Sequence, residues 1–170
     1  SLNRLSNLVK STGMPCSPST AMENVRYLQE SCLLISLDNY ASKFVDKETV
    51  KKHYFIDNGL LHLFINNPDT ALLENLCAIN LYKRYGKGVY YFNRNIEVDF
   101  YVPDEKLAIQ ASFRMSEEAT LEREIKALVA LHGLYETQRN LIITYEDEGI
   151  MERDGIKIEI IPVWKWLLDM

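Results

Sequence analysis

Between positions 96 and 112 two strand-like runs set Glu97, Asp99, Gln110 and Ser112 among alternating apolar residues. Ile96, Val98, Phe100 and Val102 recur at every second place, with Glu97, Asp99 and Tyr101 between them. A turn at Asp104-Glu105 follows, and then Leu107, Ile109, Ala111 and Phe113 alternate with Ala108, Gln110 and Ser112. Alternation of period two marks strands with two unlike faces. A connection this short joins them as an antiparallel hairpin. Glu97, Asp99, Gln110 and Ser112 then converge on its polar face. Burying a carboxylate in an apolar sheet is costly unless something compensates it, and a bound divalent cation is one such compensation. A solvent-facing edge hairpin produces the same pattern, and spacing alone does not choose between the two.

The elements around the hairpin decide what else could reach it. The spacing of Leu72, Leu73, Leu76 and Ile79 predicts a helix over 71–85, capped by Asp69 or Thr70 and stopped at Gly86. Glu74 lies one step from its apolar stripe, placed either on a solvated helix surface or at the core edge facing the hairpin. Val89-Tyr90-Tyr91-Phe92 reads as a strand turning at Asn93-Arg94-Asn95 into the hairpin, so that 89–113 forms three consecutive antiparallel strands on that helix. Ser116 is placed to cap a helix with acids in its first turns, whose buried stripe includes Ile125, Leu128 and Leu131 and which His132-Gly133 closes. The continuous apolar run 140–145 predicts a central strand, 146–154 an exposed acidic loop, 156–161 a last strand and 162–168 a terminal helix. From about position 70 the order is therefore α/β, a mixed sheet flanked by helices.

The first sixty residues read differently. Leu2, Leu5, Leu8 and Val9 recur at helical spacing up to Gly13, and Ser17-Pro18 opens a second helix with an N-cap and a proline at its first position. Its Met22, Val25, Leu28 and Cys32 are expected to pack inward. A two-stranded ribbon follows, 34–37 and 52–56, with a polar tip that includes 43–47. Two helices and a ribbon are the order of a winged-helix-like unit, which divides the chain into 1–60 and 61–170. Arg26 is the one cation against Glu23 and Glu30 on the second helix, so a docking role is expected in preference to DNA reading.

Composition narrows the function classes. A net charge of −5 and a pI near 5.3 give no electrostatic attraction toward DNA or anionic membrane. No apolar run approaches the roughly 20 residues needed to cross a bilayer, so no membrane partner is expected. Cys16, Cys32 and Cys77 are odd in number and far apart, which fits reduced thiols in the cytoplasm. The chain opens inside a helical pattern, as a fragment of something longer would. It holds no Gly-x-x-x-x-Gly-Lys-Ser/Thr run, so ATP hydrolysis is not expected of these residues.

Glutamate on the first helix, aspartate on the second strand and a polar pair on the third resemble the PD-(D/E)XK nuclease fold, a restriction-endonuclease-like architecture. The stretches Lys52-His53-Tyr54-Phe55-Ile56-Asp57-Asn58-Gly59-Leu60, Leu73-Glu74-Asn75, Glu97-Val98-Asp99-Phe100 and Ile109-Gln110-Ala111-Ser112 together resemble the C-terminal region of prokaryotic AAA-type ATPases. In that family a P-loop ATPase domain precedes a winged-helix segment and a nuclease-like domain. The resemblance implies that Glu74 and Asp99 are the metal-binding positions, with Glu97 as a helper, and that the cofactor is Mg²⁺. Gln110 matches the second acidic ligand or its glutamine substitute. Ser112 stands where the catalytic lysine belongs and has no positive charge to offer. Lys83, Arg114 and Arg123 are the candidates to replace it. The resemblance thus implies a degenerate, non-catalytic module that binds its own N-terminal ATPase domain and a protein or nucleic-acid partner, with ATP bound only outside this segment. A Mg²⁺-dependent nuclease with a displaced lysine is the alternative, and a winged-helix DNA-binding module the next.

Overall fold

A computed structural model describes residues 2–42, 50–66, 68–115 and 118–169. Helices α1 (Leu2–Ser11) and α2 (Pro18–Glu30) lead into strands β1 (Leu34–Asn39) and β2 (Lys51–Phe55). A short helix α3 (Asn58–His62) and a long α4 (Asp69–Tyr85) follow. Then come β3 (Tyr90–Asn93), β4 (Glu97–Val102), β5 (Leu107–Ala111), α5 (Glu118–Tyr135), β6 (Arg139–Thr144), β7 (Gly149–Arg153), β8 (Ile156–Pro162) and α6 (Val163–Leu168). The strands form one mixed sheet in the order β2-β1-β3-β4-β5-β6-β8-β7. The chain is thus α/β, with an eight-stranded mixed sheet flanked by helices.

The expected meander is present: β3 pairs antiparallel with β4, and β4 with β5. The apolar run in β6 is central, parallel to β5 on one side and to β8 on the other. A strand covered on both faces needs apolar residues throughout, and Leu141, Ile142 and Ile143 are fully buried. They alternate between two cores. Leu141 and Ile143 join Leu73, Cys77 and Leu81 of α4, Trp166 of α6, and Phe100 and Ile109. Ile142 joins Ile125, Leu128 and Leu131 of α5, with Val98, Ala108 and Ile158. Helices α4 and α5 therefore cover opposite faces. Each fully buried large apolar side chain contributes about 1.5–3 kcal/mol, so these two faces carry the fold.

Strands β1 and β2, assigned by the sequence to the first unit, are continuous with this sheet. The parallel ladder from β1 to β3 consists of Asp38↔Tyr90 and Asn39↔Tyr91. Asn39, which is buried, extends it. Its Nδ2 donates to the Asn93 carbonyl at 2.7 Å, and its Oδ1 accepts from the N–H groups of Asn93 at 3.0 Å and Ala41 at 3.1 Å.

Several expectations are corrected. Residues 146–154 are not all loop, because Gly149–Arg153 forms β7 against β8. The turn between them is Asp154-Gly155, with φ of 50° and 80°, the paired left-handed geometry that suits a two-residue hairpin. The Met22, Val25, Leu28 and Cys32 stripe of α2 does not turn inward: Met22, Leu28 and Cys32 are exposed and Val25 only half-buried. The first helix pair is instead joined through small groups, with Ala21 and Ser6 buried and the Ser6 hydroxyl donating to the Cys16 carbonyl at 2.7 Å. Neither Asp69 nor Thr70 caps α4; Pro68 occupies that place without a side-chain bond. Helix α5 runs through Gly133 to Tyr135. The expected cap at Ser116 and the ribbon tip at 43–47 lie outside the described residues.

Candidate functional site

Strand β4 does not keep the simple alternation that the sequence displays. Its pairing with β3 shifts register between Phe92↔Val98 and Tyr90↔Tyr101, so that Asp99 and Phe100 together face Tyr91. A bulge of this kind places two consecutive side chains on nearly the same side and re-aims them. Val98 and Tyr101 accordingly pack into the α5 core, while Phe100 and Val102 pack into the α4 core. Asp99 is turned with Phe100 toward α4 and β2, where it meets Glu74.

Between these carboxylates lies the ammonium of Lys52, carried in by β2. Lys52 Nζ is 2.7 Å from Glu97 Oε1, 3.0 Å from Asp99 Oδ1 and 3.2 Å from Glu74 Oε1. Two residues on, and hence on the same strand face, the buried Tyr54 hydroxyl donates to Glu74 Oε1 at 2.7 Å. Asp99 Oδ2 accepts the Ala111 N–H at 3.1 Å. Burial opposes the charge on Lys52, but Asp99, Glu74 and Glu97 outweigh it and hold the lysine above its ordinary value. Burial and then the charge of Glu74 push Asp99 up to about 6, against the pull of Lys52 and the Ala111 N–H. The two shifts thus differ in origin: three acids around one ammonium hold Lys52 up, whereas burial, with Glu74 beside it, raises Asp99. Burial first, then Glu74, raises Tyr54 well above the usual phenol range, so it remains a neutral donor.

Gln110 and Ser112 contribute differently. Gln110 Oε1 accepts the Asp99 N–H at 2.8 Å and its Nε2 donates to the Glu97 carbonyl at 3.0 Å. The amide thus spans the backbone gap where β4 and β5 part, with both its ends engaged. The Ser112 hydroxyl donates to the Arg114 carbonyl at 3.2 Å. Of the three candidate replacements for the lost cation, Arg123 lines the cleft above the cluster and pairs with Glu124 at 2.6 Å. Lys83 lies in the last turn of α4, and the Arg114 guanidinium lies 5.8 Å from the centre of the Phe113 ring. Sequence reasoning missed Lys52 and Tyr54 as site residues. The signal was there: a cation and a phenol two apart on a predicted strand, within the stretch that carries the family resemblance.

A second set of bonds fixes β2 to α4. Asn75, the neighbour of Glu74 and buried, accepts the Phe55 N–H at 2.8 Å and donates to the Phe55 carbonyl at 2.9 Å. Its Nδ2 also reaches Asn58 Oδ1 at 2.8 Å, and Asn58 Nδ2 donates to the Leu72 carbonyl at 3.0 Å. Asp57 caps α3 by accepting the Leu60 N–H at 3.1 Å. A Cβ on Gly59 would stand 2.8 Å from the Asp57 carboxylate oxygen, so glycine keeps that cap closed.

The cleft over the cluster encloses about 870 Å³ between α4, β4 and α5. Its charged lining comprises Glu74, Glu97, Asp99, Glu122 and Glu124 against Lys52, Arg123 and Lys126. The Mg²⁺ that the family resemblance implies does not fit the residues present. Lys52 takes the centre of the carboxylates, Gln110 is committed to the backbone, and among the described residues no group of three acids, histidines or cysteines is arranged to hold a metal ion.

No family model matches the chain, and no solved structure does. It is similar to an uncharacterized protein, MJ1544, of Methanocaldococcus jannaschii, with 32% identity over 182 aligned residues. That match covers 99% of this chain and 40% of the relative. The chain therefore spans well under half the length of the protein it matches. Among the described residues, no helix is long and apolar enough to cross a membrane.

Proposed function

We propose that the chain is a binding module of a larger prokaryotic protein, built on a degenerate nuclease-like sheet whose centre is closed by an internal cation. The observation that carries this reading is the Lys52 ammonium, within 3.2 Å of all three carboxylates. The helix, meander, helix and central parallel strand supply the supporting order for a restriction-endonuclease-like core. The helices α1 and α2 followed by the β1–β2 ribbon support a winged-helix-like unit before it. The relative extends well beyond the aligned segment, which leaves room in that protein for a further domain. On this reading that domain is a P-loop ATPase, which binds ATP and is itself one of the module's partners; the cytoplasm is the compartment.

The sign of the cleft argues for its second partner. Five carboxylates face three cations there, a balance that repels phosphodiester and attracts a basic protein segment. The test uses a fluorescein-labelled lysine-rich peptide and single- and double-stranded DNA and RNA of similar length, at physiological salt with and without Mg²⁺ or Mn²⁺. Salt-sensitive binding of the peptide, with no cleavage and negligible binding of nucleic acid, is the expected result.

One observation favours a second reading. Lys52 Nζ lies 3.0 Å from Asp99 Oδ1, so the cation missing at Ser112 is supplied from another strand, as a nuclease with a displaced lysine would require. Metal-dependent cleavage that disappears in Asp99→Ala, Glu74→Ala and Lys52→Met would replace the first reading with this one.

A further inference from the structure

We infer that Lys52 is the resident cation of this site, holding by a covalently tethered ammonium the place that a divalent metal ion would otherwise take. The inference concerns the occupant of the carboxylate cluster and is independent of what the cleft above it binds.

Three features of the geometry carry it. An ammonium has three N–H donors and no acceptor, and three carboxylate oxygens stand at 2.7, 3.0 and 3.2 Å from Nζ. The ammonium donates to Glu74 and Asp99 and forms an ion pair with Glu97. These distances are those of N–H···O contacts, whereas Mg²⁺ demands oxygens at roughly 2.0–2.1 Å in a near-octahedral shell. The oxygens as they stand are thus spaced for an ammonium, and an ion could draw them inward only once the ammonium is gone. Each acid is also held outside the lysine by another group of the chain. Tyr54 donates to Glu74, the Ala111 N–H to Asp99, and Asn93 Nδ2 to Glu97 Oε2 at 3.2 Å. The frame around the ammonium is fixed from three strands, by Tyr54 on β2, Ala111 on β5 and Asn93 on β3.

A tethered cation has a consequence that a diffusing one lacks. The carboxylates keep a counter-charge in their midst at every metal concentration, so the wild-type fold should respond little to divalent ions. Removing the ammonium while keeping its apolar stem should leave a cluster of three acids with no counter-charge, and that cluster should then recruit an ion from solution. Ligands that bind only the folded state raise its stability in proportion to the logarithm of their concentration.

The experiment compares wild type, Lys52→Met and Lys52→Met/Asp99→Asn by calorimetric titration with Mn²⁺ and by thermal melting with and without Mn²⁺. Lys52→Met is expected to bind Mn²⁺ on the order of tenfold or more tightly than wild type and to gain melting temperature with the ion. Adding Asp99→Asn should abolish both effects. Equal Mn²⁺ binding by wild type and Lys52→Met would overturn the inference, as would a folded Lys52→Met that ignores the ion. Should Lys52→Met fail to fold even with Mn²⁺, the variant Lys52→Met/Glu74→Gln/Asp99→Asn decides. Its folding supports a lysine that balances charge, and its failure overturns that role.

Discussion

The two walls of the cleft carry the same kinds of charge under opposite conditions. On the wall made by β2, α4 and β4, the Lys52, Glu74 and Asp99 side chains are 24%, 25% and 16% exposed. On the α5 wall, Arg123 is 74% exposed over a buried Glu124, and Arg153 reaches Glu122 with both partly in solvent. Charges that keep their water gain little from pairing, because solvent screening and side-chain entropy offset the attraction. Charges that have lost their water depend on each other, since removing one leaves the rest buried without compensation. The difference teaches that the lysine on β2 is a structural requirement of this site and the solvated Arg153–Glu122 pair between β7 and α5 is not.

The sharpest way to break that comparison is Lys52→Met measured for stability. Loss of one partner from a buried ionic cluster costs about 3–5 kcal/mol, and the residual exposure here places the expected loss toward the lower end of that range. Urea denaturation at pH 7 without divalent ions measures it. A loss under about 1 kcal/mol would class the cluster with ordinary surface pairs.

The next largest effect is a pH dependence. Asp99 is raised from its ordinary value of 3.8 to about 6, so between these pH values the folded state binds a proton that the unfolded state releases. Stability from this group is full below about 4 and is lost as the pH climbs through 6. A shift of this size corresponds to up to about 3 kcal/mol. The test compares stability at pH 4.5 and 6.5 in wild type and Asp99→Asn, where the variant should lack this part of the slope. Identical slopes would show that Asp99 is not the group responsible.

Asn75→Ala tests whether the lysine's strand is held in place independently of charge. Asn75 satisfies both the N–H and the carbonyl of Phe55, and an unsatisfied buried backbone group costs about 1–3 kcal/mol. The expected loss is on the order of 2 kcal/mol, with faster amide exchange confined to β2 and α3. A loss below about 0.5 kcal/mol would mean that the ionic cluster alone fixes β2.

How far the site was legible in the sequence follows from the same residues. The meander, α4 and central β6 were readable because period-two and period-3.6 patterns report burial directly. The bulge at Asp99-Phe100 was not, because an inserted residue leaves apolar letters alternating while the backbone changes the side they face. Tyr101 was therefore assigned to the face of Asp99 when it packs on the other. The Asp154-Gly155 pair is itself a hairpin signal, masked by the acidity of the residues around it. Lys52 was hidden for a different reason: it lies more than twenty residues from Glu74 and more than forty from Asp99. The β1–β3 junction and the Asn75 bonds to Phe55 bring its strand to the cluster, and a pattern read along the chain carries no information on either.

The smallest expected effect sharpens the other half of the comparison. Arg153 at the end of β7 pairs with Glu122 on α5 and is a direct ionic tie between the edge hairpin and that helix. If α5's charges belong to solvent, Arg153→Ala should change stability by no more than about 0.5 kcal/mol, read from urea denaturation at low salt, where screening is weakest. Arginine can also stabilise through the apolar stem that it lays over its neighbours, so Arg153→Met is the companion variant, retaining the stem without the charge. Equal, small effects from both would place the pair among surface contacts. A loss above about 1.5 kcal/mol in Arg153→Ala that Arg153→Met restores would assign the effect to packing of the stem and leave the contrast in charge intact. The same loss in both variants would mean that the ion pair itself anchors β7, and the two walls of the cleft would then no longer differ in kind.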